Sequence, residues 1–280
     1  MRRTIKFRSG AALVFGICFI GLFACSGFLE AAENAADSAA SAEAAPESKL
    51  ANKAGDRKTI VVNGVEFAFR WAPAGTFSMG APKTEEGRFD DEIPHQVTLT
   101  KGFWIMETEV TQKQWKAVMG NDPARFQGDN NPVECVSWDD CQEFCKKCSQ
   151  LGAKLELPTE AQWEYACRAG SVGAYPGDLE QTTWYEGNCG SKTHPVGTKK
   201  PNAWGLYDMT GNVWEWCADW YGEYPNESVT DPAGPKKGSF KLFRGGGWHE
   251  SARYCRCAVR GYSEPDYQDG NFGFRCIIKE

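Results

Sequence analysis

The chain has 280 residues, and its 31 Lys and Arg residues against 37 Asp and Glu residues give a formal net charge of −6. A mildly acidic protein has no overall basic field, so this composition argues against nucleic acid as a partner. Aromatic residues make up 13% of the chain and 30 residues are glycine. Such a composition predicts a loop-rich domain in which aromatic side chains fill the spaces between loops.

The first residues have the pattern of a lipoprotein-type signal peptide, which we assign to residues 1–24. Four basic residues within the first eight precede an apolar run at residues 10–24, too short to span a bilayer comfortably. The run ends in Leu-Phe-Ala-Cys, which resembles a bacterial lipobox and makes Cys25 the predicted lipidation site. Cleavage a few residues further on and an uncleaved anchor are the alternatives. The pattern predicts export to the bacterial cell envelope, and Ser26 favours the outer membrane where the cell has two membranes.

The segment after the signal is predicted to be a disordered tether, at residues 25–57. It is rich in Ala, Glu and Ser and has hardly any large apolar side chain. Such a segment cannot bury enough apolar surface to offset the entropy lost on ordering. We therefore expect a single folded domain at residues 58–280, held away from the membrane by the tether.

Twelve cysteines are present, and setting aside Cys18 and Cys25 leaves ten in the predicted domain. An even number of cysteines in an exported domain favours disulfide bonds, although the sequence alone leaves their pairing open. The ten are Cys135, Cys141, Cys145, Cys148, Cys167, Cys189, Cys217, Cys255, Cys257 and Cys276.

Three of these cysteines have the C-x3-C-x2-C spacing that radical enzymes use to hold an iron–sulfur cluster: Cys141, Cys145 and Cys148. Export to an oxidising compartment argues against a cluster. Ser137 is a suitable helix cap, and apolar residues follow it at three- and four-residue spacing. We therefore interpret the three cysteines as one buried helical face, used for core packing or for disulfides.

Strand patterns follow the tether. Residues 59–71 alternate in part between apolar and polar, with Asn63-Gly64 as a hairpin turn. Residues 96–100 and 103–105 suggest a second pair of strands, turning at Lys101-Gly102.

Two predicted helices begin with the same capping motif. Thr111 with Gln114, and Thr159 with Gln162, fit the capping box, in which each side chain satisfies the other residue's free backbone N–H. After Arg168 the sequence consists mainly of turns and short strands. Few helices, many glycine turns and no βαβ rhythm predict an irregular α+β domain.

Several segments in a fixed order carry a family resemblance, which covers the chain from about residue 65 to 280. They are Pro73–Gly80, Glu92–Val97, Glu109–Thr111, Pro132–Val133, Val136–Trp138, Leu157–Arg168, Pro201–Trp216, Phe243–Trp248 and Gly273–Arg275. Together they resemble the formylglycine-generating enzyme (sulfatase-modifying factor) family. The resemblance implies a loop-rich α+β fold related to C-type lectins.

Active members of that family oxidise a sulfatase cysteine to formylglycine, using molecular oxygen and copper held by two thiolates. The resemblance places the first thiolate position two residues after the aromatic residue Trp248, and here that position is Glu250. Cys255 stands where the second thiolate is expected, but the shorter stretch up to Ala258 leaves its alignment open. A carboxylate is a hard ligand and a poor substitute for a thiolate on Cu(I). The sequence therefore argues against copper, and a genuine formylglycine-generating oxidase is the alternative.

Another branch of relatives binds non-haem iron through histidines. This chain has three histidines, His95, His194 and His249, and no two of them are closely spaced. The first two adjoin prolines in turn-like segments, which favours structural roles. His249 follows Trp248 and is expected to face the family's groove. An iron-dependent relative is thus a further alternative.

The leading functional hypothesis is a binding module. The family's groove accepts an extended peptide, and a copy without the thiolate pair keeps a surface for a peptide, a glycan or a partner protein. Our candidates for that surface are Trp204, Arg244, Trp248, Glu250 and Arg253. For the tryptophans the alternative role is core packing. An enzyme of altered chemistry and a purely structural envelope protein are the competing hypotheses.

The resemblance also implies two disulfides, Cys145–Cys276 and Cys167–Cys257. Extra residues between Cys145 and the Leu157 segment make Cys148 a rival partner for Cys276.

A calcium site is implied as well. The resemblance carries over two side chains and two backbone carbonyls, from Asp208, Gly211, Val213 and Glu215. Oxygen ligands clustered in a turn suit Ca²⁺. The alternative is a carboxylate pair that merely caps the turn.

The predicted anchor can be tested with Cys25→Ser. Loss of the acylated cysteine should move the protein from the membrane to the soluble fraction, because acyl chains provide the membrane affinity. Fractionation with an antibody measures this, with Cys18→Ser as the control that keeps the anchor. Membrane association that survives Cys25→Ser would contradict the lipobox interpretation.

Overall fold

The computed structural model describes residues 52–278. The predicted signal peptide, Cys25 and most of the predicted tether lie outside the described residues. Between residues 52 and 278, no helix is long and apolar enough to cross a membrane.

Short strands outnumber helices throughout the described domain. The strands are β1 Arg57–Val62, β2 Val65–Ala72, β3 Gly75–Met79, β4 His95–Leu99, β5 Phe103–Met106, β6 Leu155–Glu156, β7 Trp214–Trp220, β8 Val229–Thr230, β9 Lys241–Arg244, β10 Arg260–Ser263, β11 Phe272–Gly273 and β12 Ile277–Ile278. The helices are α1 Gln112–Met119, α2 Trp138–Gln150, α3 Glu160–Arg168 and α4 Leu179–Thr182, with a 3₁₀ turn at Ala252–Cys255. This irregular, loop-rich α+β architecture confirms the predicted fold class.

Three sheets organise the strands. Five strands pair in the order β1-β2-β5-β12-β6, four in the order β10-β9-β7-β11, and three in the order β3-β4-β8. Because β4 pairs with β3 and β8 while β5 pairs with β2 and β12, the predicted pairing of residues 96–100 with 103–105 is wrong. A Cβ on Gly102 would lie 2.3 Å from the Trp71 ring. This glycine is therefore required by its close approach to Trp71 of β2, the strand that pairs with β5, and not by a hairpin.

Local signals in the sequence are reproduced by the structure. The hairpin β1–β2 turns at Asn63 and Gly64, both with positive φ. Capping boxes with both hydrogen bonds start α1 at Thr111, α2 at Ser137 and α3 at Thr159. These local predictions are confirmed because each depends only on residues three positions apart.

A buried chain of ion pairs fixes α3 in the domain. Glu164 binds Arg168 at 2.9 Å and also pairs with Arg244 of β9. Glu160 lies 3.5 Å from Arg244 and 2.6 Å from Arg260 of β10. All five side chains are at most 6% exposed. The two carboxylates of α3 are thus compensated by guanidinium groups from two strands of the four-stranded sheet.

The predicted cysteine face of α2 is confirmed as part of the core. Cys141, Cys145 and Cys148 are buried in one apolar cluster with Phe144. The Cys145 sulfur lies 3.8 Å from that of Cys276. In the second apolar cluster the sulfurs of Cys167 and Cys257 lie 3.6 Å apart.

The two implied disulfides can be tested by peptide mapping without reduction. Both predicted bonds join sulfurs that the fold already holds in contact, so Cys145–Cys276 and Cys167–Cys257 peptides are expected. They would close loops of 131 and 90 residues, and the chain-entropy model gives about 4–5 kcal/mol of stability for each. Cys148→Ser is the matched control and should leave both linked peptides unchanged. A Cys148–Cys276 peptide would overturn the first assignment.

Candidate functional site

The loop that carries the first thiolate position of the family leaves β9 through two glycines with positive φ, Gly245 and Gly246. A Cβ on Gly246 would lie 2.6 Å from the Cys255 sulfur, so a side chain there would clash. Beyond the glycines, the Trp248 backbone N–H donates to Asn212 at 2.8 Å, and its indole N–H donates to the Gly270 carbonyl at 2.9 Å. The loop is therefore held by the core on both sides, and Trp248 is half-buried.

Glu250 occupies this loop as a carboxylate with defined partners. Its Oε1 accepts a hydrogen bond from the Trp214 indole N–H at 3.2 Å and lies 3.5 Å from His249 Nε2. Its backbone carbonyl accepts from the Glu186 N–H at 2.9 Å. The side chain is 15% exposed. The loop thus presents a largely buried, hydrogen-bonded acid at the position where the family has a thiolate.

Cys255 lies close to that acid and is fully buried. Burial, followed by the negative charge of Glu250 and the proximity of Cys189, raises the pKa of the Cys255 thiol well above its usual range. Cys189 itself donates its S–H to the Trp248 carbonyl at 2.9 Å. Because the thiolate is the form that binds metals and attacks substrates, a raised pKa disfavours the reactive form of Cys255.

Sequence reasoning missed Cys189 as a neighbour of this loop. It belongs to the segment after α4, far from residue 255 in the chain, and only the fold brings the two together. The only feature of the sequence that could have drawn attention to Cys189 is that it is a cysteine without an assigned partner.

The five predicted surface residues do not form one surface. Trp248 and Glu250 share the loop after β9, and the exposed Arg253 lies in the 3₁₀ turn, where it donates to the Gly87 carbonyl. Trp204 instead packs edge-on against Tyr165, with ring centroids 4.9 Å apart. Three of the five residues, Trp248, Glu250 and Arg253, therefore lie on one short segment of the chain, and Trp204 and Arg244 lie outside it.

The assignment of Arg244 to that surface is wrong. Its side chain has no exposed area, and it donates to Glu164 and to the carbonyls of residues 257–259. It anchors α3 from inside the domain. A guanidinium completely enclosed by its own carboxylate and carbonyl partners cannot present itself to a ligand.

The three histidines lie in separate settings. His95 packs against Tyr224 at a tilted angle with ring centroids 4.6 Å apart, and His194 stacks on Trp184 with ring centroids 3.8 Å apart. His249 is exposed beside Glu250. Among residues 52–278, no group of three or more His, Cys, Asp or Glu side chains is arranged to hold a metal ion. The histidines of the described domain therefore offer no clustered ligand set for iron.

The predicted calcium turn contains buried carboxylates. Glu215 accepts two hydrogen bonds from Arg275, each 2.7 Å long, and one from the Trp163 indole N–H at 2.7 Å. Asp208 accepts from the Gly197 N–H at 2.7 Å through Oδ2. Its buried Oδ1 has no hydrogen-bond partner among the described residues. Burial raises the pKa of Asp208 to about 6.

Glu109 adds a third carboxylate that sequence reasoning did not assign. It is fully buried and accepts from the Asn212 amide at 2.8 Å and from the Val213 N–H at 3.2 Å. Burial, then the charges of Asp208 and Glu215, raise the pKa of Glu109 well above its usual range. The sequence could have indicated a buried position for Glu109, because it belongs to the Glu109–Thr111 segment and directly precedes the buried Val110.

We propose that two of these carboxylates, Asp208 and Glu215, bind a divalent cation together with the backbone carbonyls of Gly211 and Val213, an arrangement that does not require three side-chain ligands. The carboxylates of Glu109, Asp208 and Glu215 outnumber the Arg275 guanidinium, so the cluster carries excess negative charge when ionised. Buried charges are normally paired, and Asp208 Oδ1 still lacks a partner. A calcium ion held by side chains and backbone carbonyls would supply both needs.

Comparison with known proteins gives consistent similarities. Residues 67–280 match the family described as sulfatase-modifying factor enzyme 1-like domain. The chain is 32% identical over 215 residues to the formylglycine-generating enzyme of Mus musculus, covering 68% of this chain and 56% of that enzyme. It thus spans about half the length of this curated relative.

Two further similarities concern proteins with other names. The chain is 30% identical over 254 residues to the chaperone protein LppX of Paenibacillus barcinonensis, covering 71% of this chain and 86% of that protein. The solved structure of Treponema denticola variable protein 1 superposes with a TM-score of 0.75 at 32% identity, covering 80% of this chain and 99% of that one.

Removal of calcium should destabilise the protein. If calcium is present at 100 times its dissociation constant, it contributes about 2.7 kcal/mol. A chelator should then lower the melting temperature by roughly 5–10 °C for a domain of this size. Differential scanning calorimetry with and without EGTA measures the shift, and elemental analysis measures the bound calcium.

Asp208→Asn should abolish the response to EGTA. The matched control is Asp231→Asn, which removes an exposed carboxylate hydrogen-bonded to Thr100 and should leave the response intact. A chelation-insensitive melting temperature in protein that contains no calcium would contradict the site.

Proposed function

Because the chain belongs to the formylglycine-generating enzyme (sulfatase-modifying factor) family, we propose that it is a membrane-anchored binding module that has lost the copper oxidase reaction. The observation that carries this proposal is the environment of Glu250 and Cys255. A copper oxidase needs two thiolates at this loop, and the chain offers a hydrogen-bonded carboxylate and a buried thiol.

The carboxylate acts against the reaction in two ways. As a hard ligand it is a weak partner for Cu(I). Its charge also raises the pKa of Cys255, which disfavours the thiolate that would be the remaining soft ligand. The residues present therefore do not fit the family's copper, and we derive no reaction step through it.

The same loop keeps features that suit binding. His249 and Arg253 are exposed, and Trp248 is half-buried with its ring edge-on to Phe126 at 5.3 Å. An aromatic side chain anchored by the core and flanked by charged groups is typical of a binding surface with low conformational cost. We infer that this loop contacts an extended peptide of a partner protein.

Similarity to a chaperone supports a role without oxidation. The relative from Paenibacillus barcinonensis bears the name of a chaperone protein, and this chain matches 86% of its length. A relative that bears the name of a chaperone supports the proposal that this scaffold serves in binding. Anchoring through Cys25 would hold such a module at the envelope, where exported proteins pass.

Loss of the oxidase reaction can be tested directly. The purified mature protein, loaded with copper, is incubated with oxygen, a reductant and a peptide containing the Cys-x-Pro-x-Arg motif. Mass spectrometry of the peptide should show no formylglycine, because no thiolate pair is available to hold Cu(I). Appreciable turnover would overturn the proposal in favour of a formylglycine-generating oxidase.

Glu250→Cys tests whether the carboxylate at position 250 is what prevents Cu(I) binding. This change restores a thiol at the loop and removes the charge beside Cys255, so tight Cu(I) binding should appear in a competition assay. Glu186→Cys is the matched control, because it adds a thiol on an exposed neighbouring residue whose N–H contacts the Glu250 carbonyl. Equal copper binding by the two variants would show that position 250 has no special role.

A further inference from the structure

A second concave site lies away from the Trp248–Glu250 loop, where the N-terminus of α3 meets the end of β7. Its cavity volume is about 70 Å³, enough for a few water molecules or a small chemical group. Apolar walls come from Trp220, Tyr224, Val229 and three prolines. The polar and charged residues that line the pocket are His95, Glu160, Asp219, Glu223 and Arg260. The pocket is too small for a chain to run through, so it suits the terminal group of a larger ligand.

Arg260 supplies an unused hydrogen-bond donor. Its Nε and Nη2 bind Glu160 at 2.6 and 2.9 Å, and Nη2 also donates to the Gly222 carbonyl at 2.9 Å. The guanidinium lies 3.7 Å from the ring centroid of Tyr224. Its buried Nη1 has no partner among the described residues. A buried donor without an acceptor is costly, so this side chain is prepared for an acceptor that the protein does not provide.

Asp219 supplies an unused acceptor. The residue is 5% exposed, and its Oδ2 accepts from the Glu160 N–H at 2.9 Å. Within residues 52–278 no donor reaches its Oδ1 within hydrogen-bond distance. Burial, followed by the charge of Glu160, raises the pKa of Asp219 to about 7. The carboxyl group would gain from a donor supplied by a ligand.

The charges around the pocket select the chemistry of that ligand. An anion would face the carboxylates of Asp219, Glu160 and Glu223, and a cation would face the Arg260 guanidinium. A neutral group that both accepts and donates a hydrogen bond avoids both repulsions. A secondary amide is such a group, with its C=O as the acceptor and its N–H as the donor.

We propose that this pocket binds the acetamido group of an N-acetylated amino sugar. The carbonyl oxygen accepts from Arg260, the N–H donates to Asp219, and the methyl group and sugar ring contact Trp220 and Tyr224. The aromatic walls favour a sugar over a peptide amide, because an aromatic face offers apolar contact to the flat face of a sugar ring. This site shares no residue with the loop at Glu250. Sugar binding here therefore does not depend on whether the protein has the oxidase activity.

Binding to the mature protein can be measured by calorimetry and by the indole N–H signals of a ¹⁵N-labelled sample. The probes are N,N′-diacetylchitobiose, the glucosamine dimer, cellobiose and N-acetylglycinamide. Saturable binding of diacetylchitobiose is expected, with at least about tenfold weaker binding of the other three. The glucosamine dimer tests a cation, cellobiose tests a hydroxyl group in place of the acetamido group, and N-acetylglycinamide tests a peptide amide.

Two variants locate the site. Asp219→Asn keeps an acceptor for the Glu160 N–H but directs a donor at the pocket, so affinity should fall about tenfold or more. Val229→Phe fills the pocket without removing a polar group and should have the same effect. The matched control is Asp139→Asn, because Asp139 and Asp219 both face Lys241 while only Asp219 lines the pocket.

Several results would overturn the proposal. These are no binding of diacetylchitobiose up to about 10 mM, equal binding of the glucosamine dimer or cellobiose, and preference for N-acetylglycinamide, which would indicate a peptide ligand. Binding that is unaffected by both Asp219→Asn and Val229→Phe would place the sugar elsewhere.

Discussion

The buried ion pairs between α3 and the four-stranded sheet are the constraint on which both concave sites depend. Arg244 holds Glu164 and Glu160 from β9, and Arg260 holds Glu160 from β10. Burying so many charges carries a desolvation penalty, and removing one partner of such a pair typically costs about 3–5 kcal/mol. Arg244 immediately precedes the Gly245-Gly246 turn, so the same pairing that fixes α3 also fixes the start of the loop bearing Glu250. On the other side, Glu160 orients Arg260, Tyr224 and Asp219 around the small pocket.

The second carboxylate cluster differs from the first in its balance of charge. The carboxylates of α3 are matched by guanidinium groups, whereas Glu109, Asp208 and Glu215 share Arg275. The consequence is visible in the direction of the pKa changes. Burial alone would raise the pKa of Glu160, but the charges of Arg260 and Arg244 outweigh it and leave the pKa lowered. The pKa values of Glu109 and Asp208 are raised, with burial as the largest cause. The carboxylates of the first cluster are matched by guanidinium groups, and the second cluster has more carboxylates than guanidinium groups.

Structural features were predictable from the sequence when the interacting residues are close together in the chain. The capping boxes at Thr111, Ser137 and Thr159 and the turn at Asn63-Gly64 are local, and they were predicted correctly. The family resemblance gave the fold class, since many short segments in a fixed order specify it. Sheet membership of β4 and β5 was mispredicted, because short strands with similar patterns do not reveal which distant strand they pair with.

Predictions about individual side chains failed where burial decided the outcome. An arginine beside a glycine-rich loop resembles a ligand contact, and only the fold shows that Arg244 is enclosed by acids from α3. The proximity of Cys189 to Cys255 and the inclusion of Glu109 in the carboxylate cluster are likewise products of contacts across the chain. Such contacts are not encoded in any local spacing.

The loop at Glu250 has a shape that does not depend on the family's reaction, as the proposed binding function requires. Its position is set by Arg244, the two glycines, and the hydrogen bonds of Trp248 to Asn212 and Gly270, none of which needs a thiolate. Glu250 gains a partner in the Trp214 indole N–H, so the substituted carboxylate is accommodated by the existing core. Its charge then disfavours ionisation of Cys255. In the proposed function, the carboxylate at position 250 takes the place of one soft ligand and its charge disfavours the thiolate form of the other, while the loop around Trp248 remains the surface that we propose for binding.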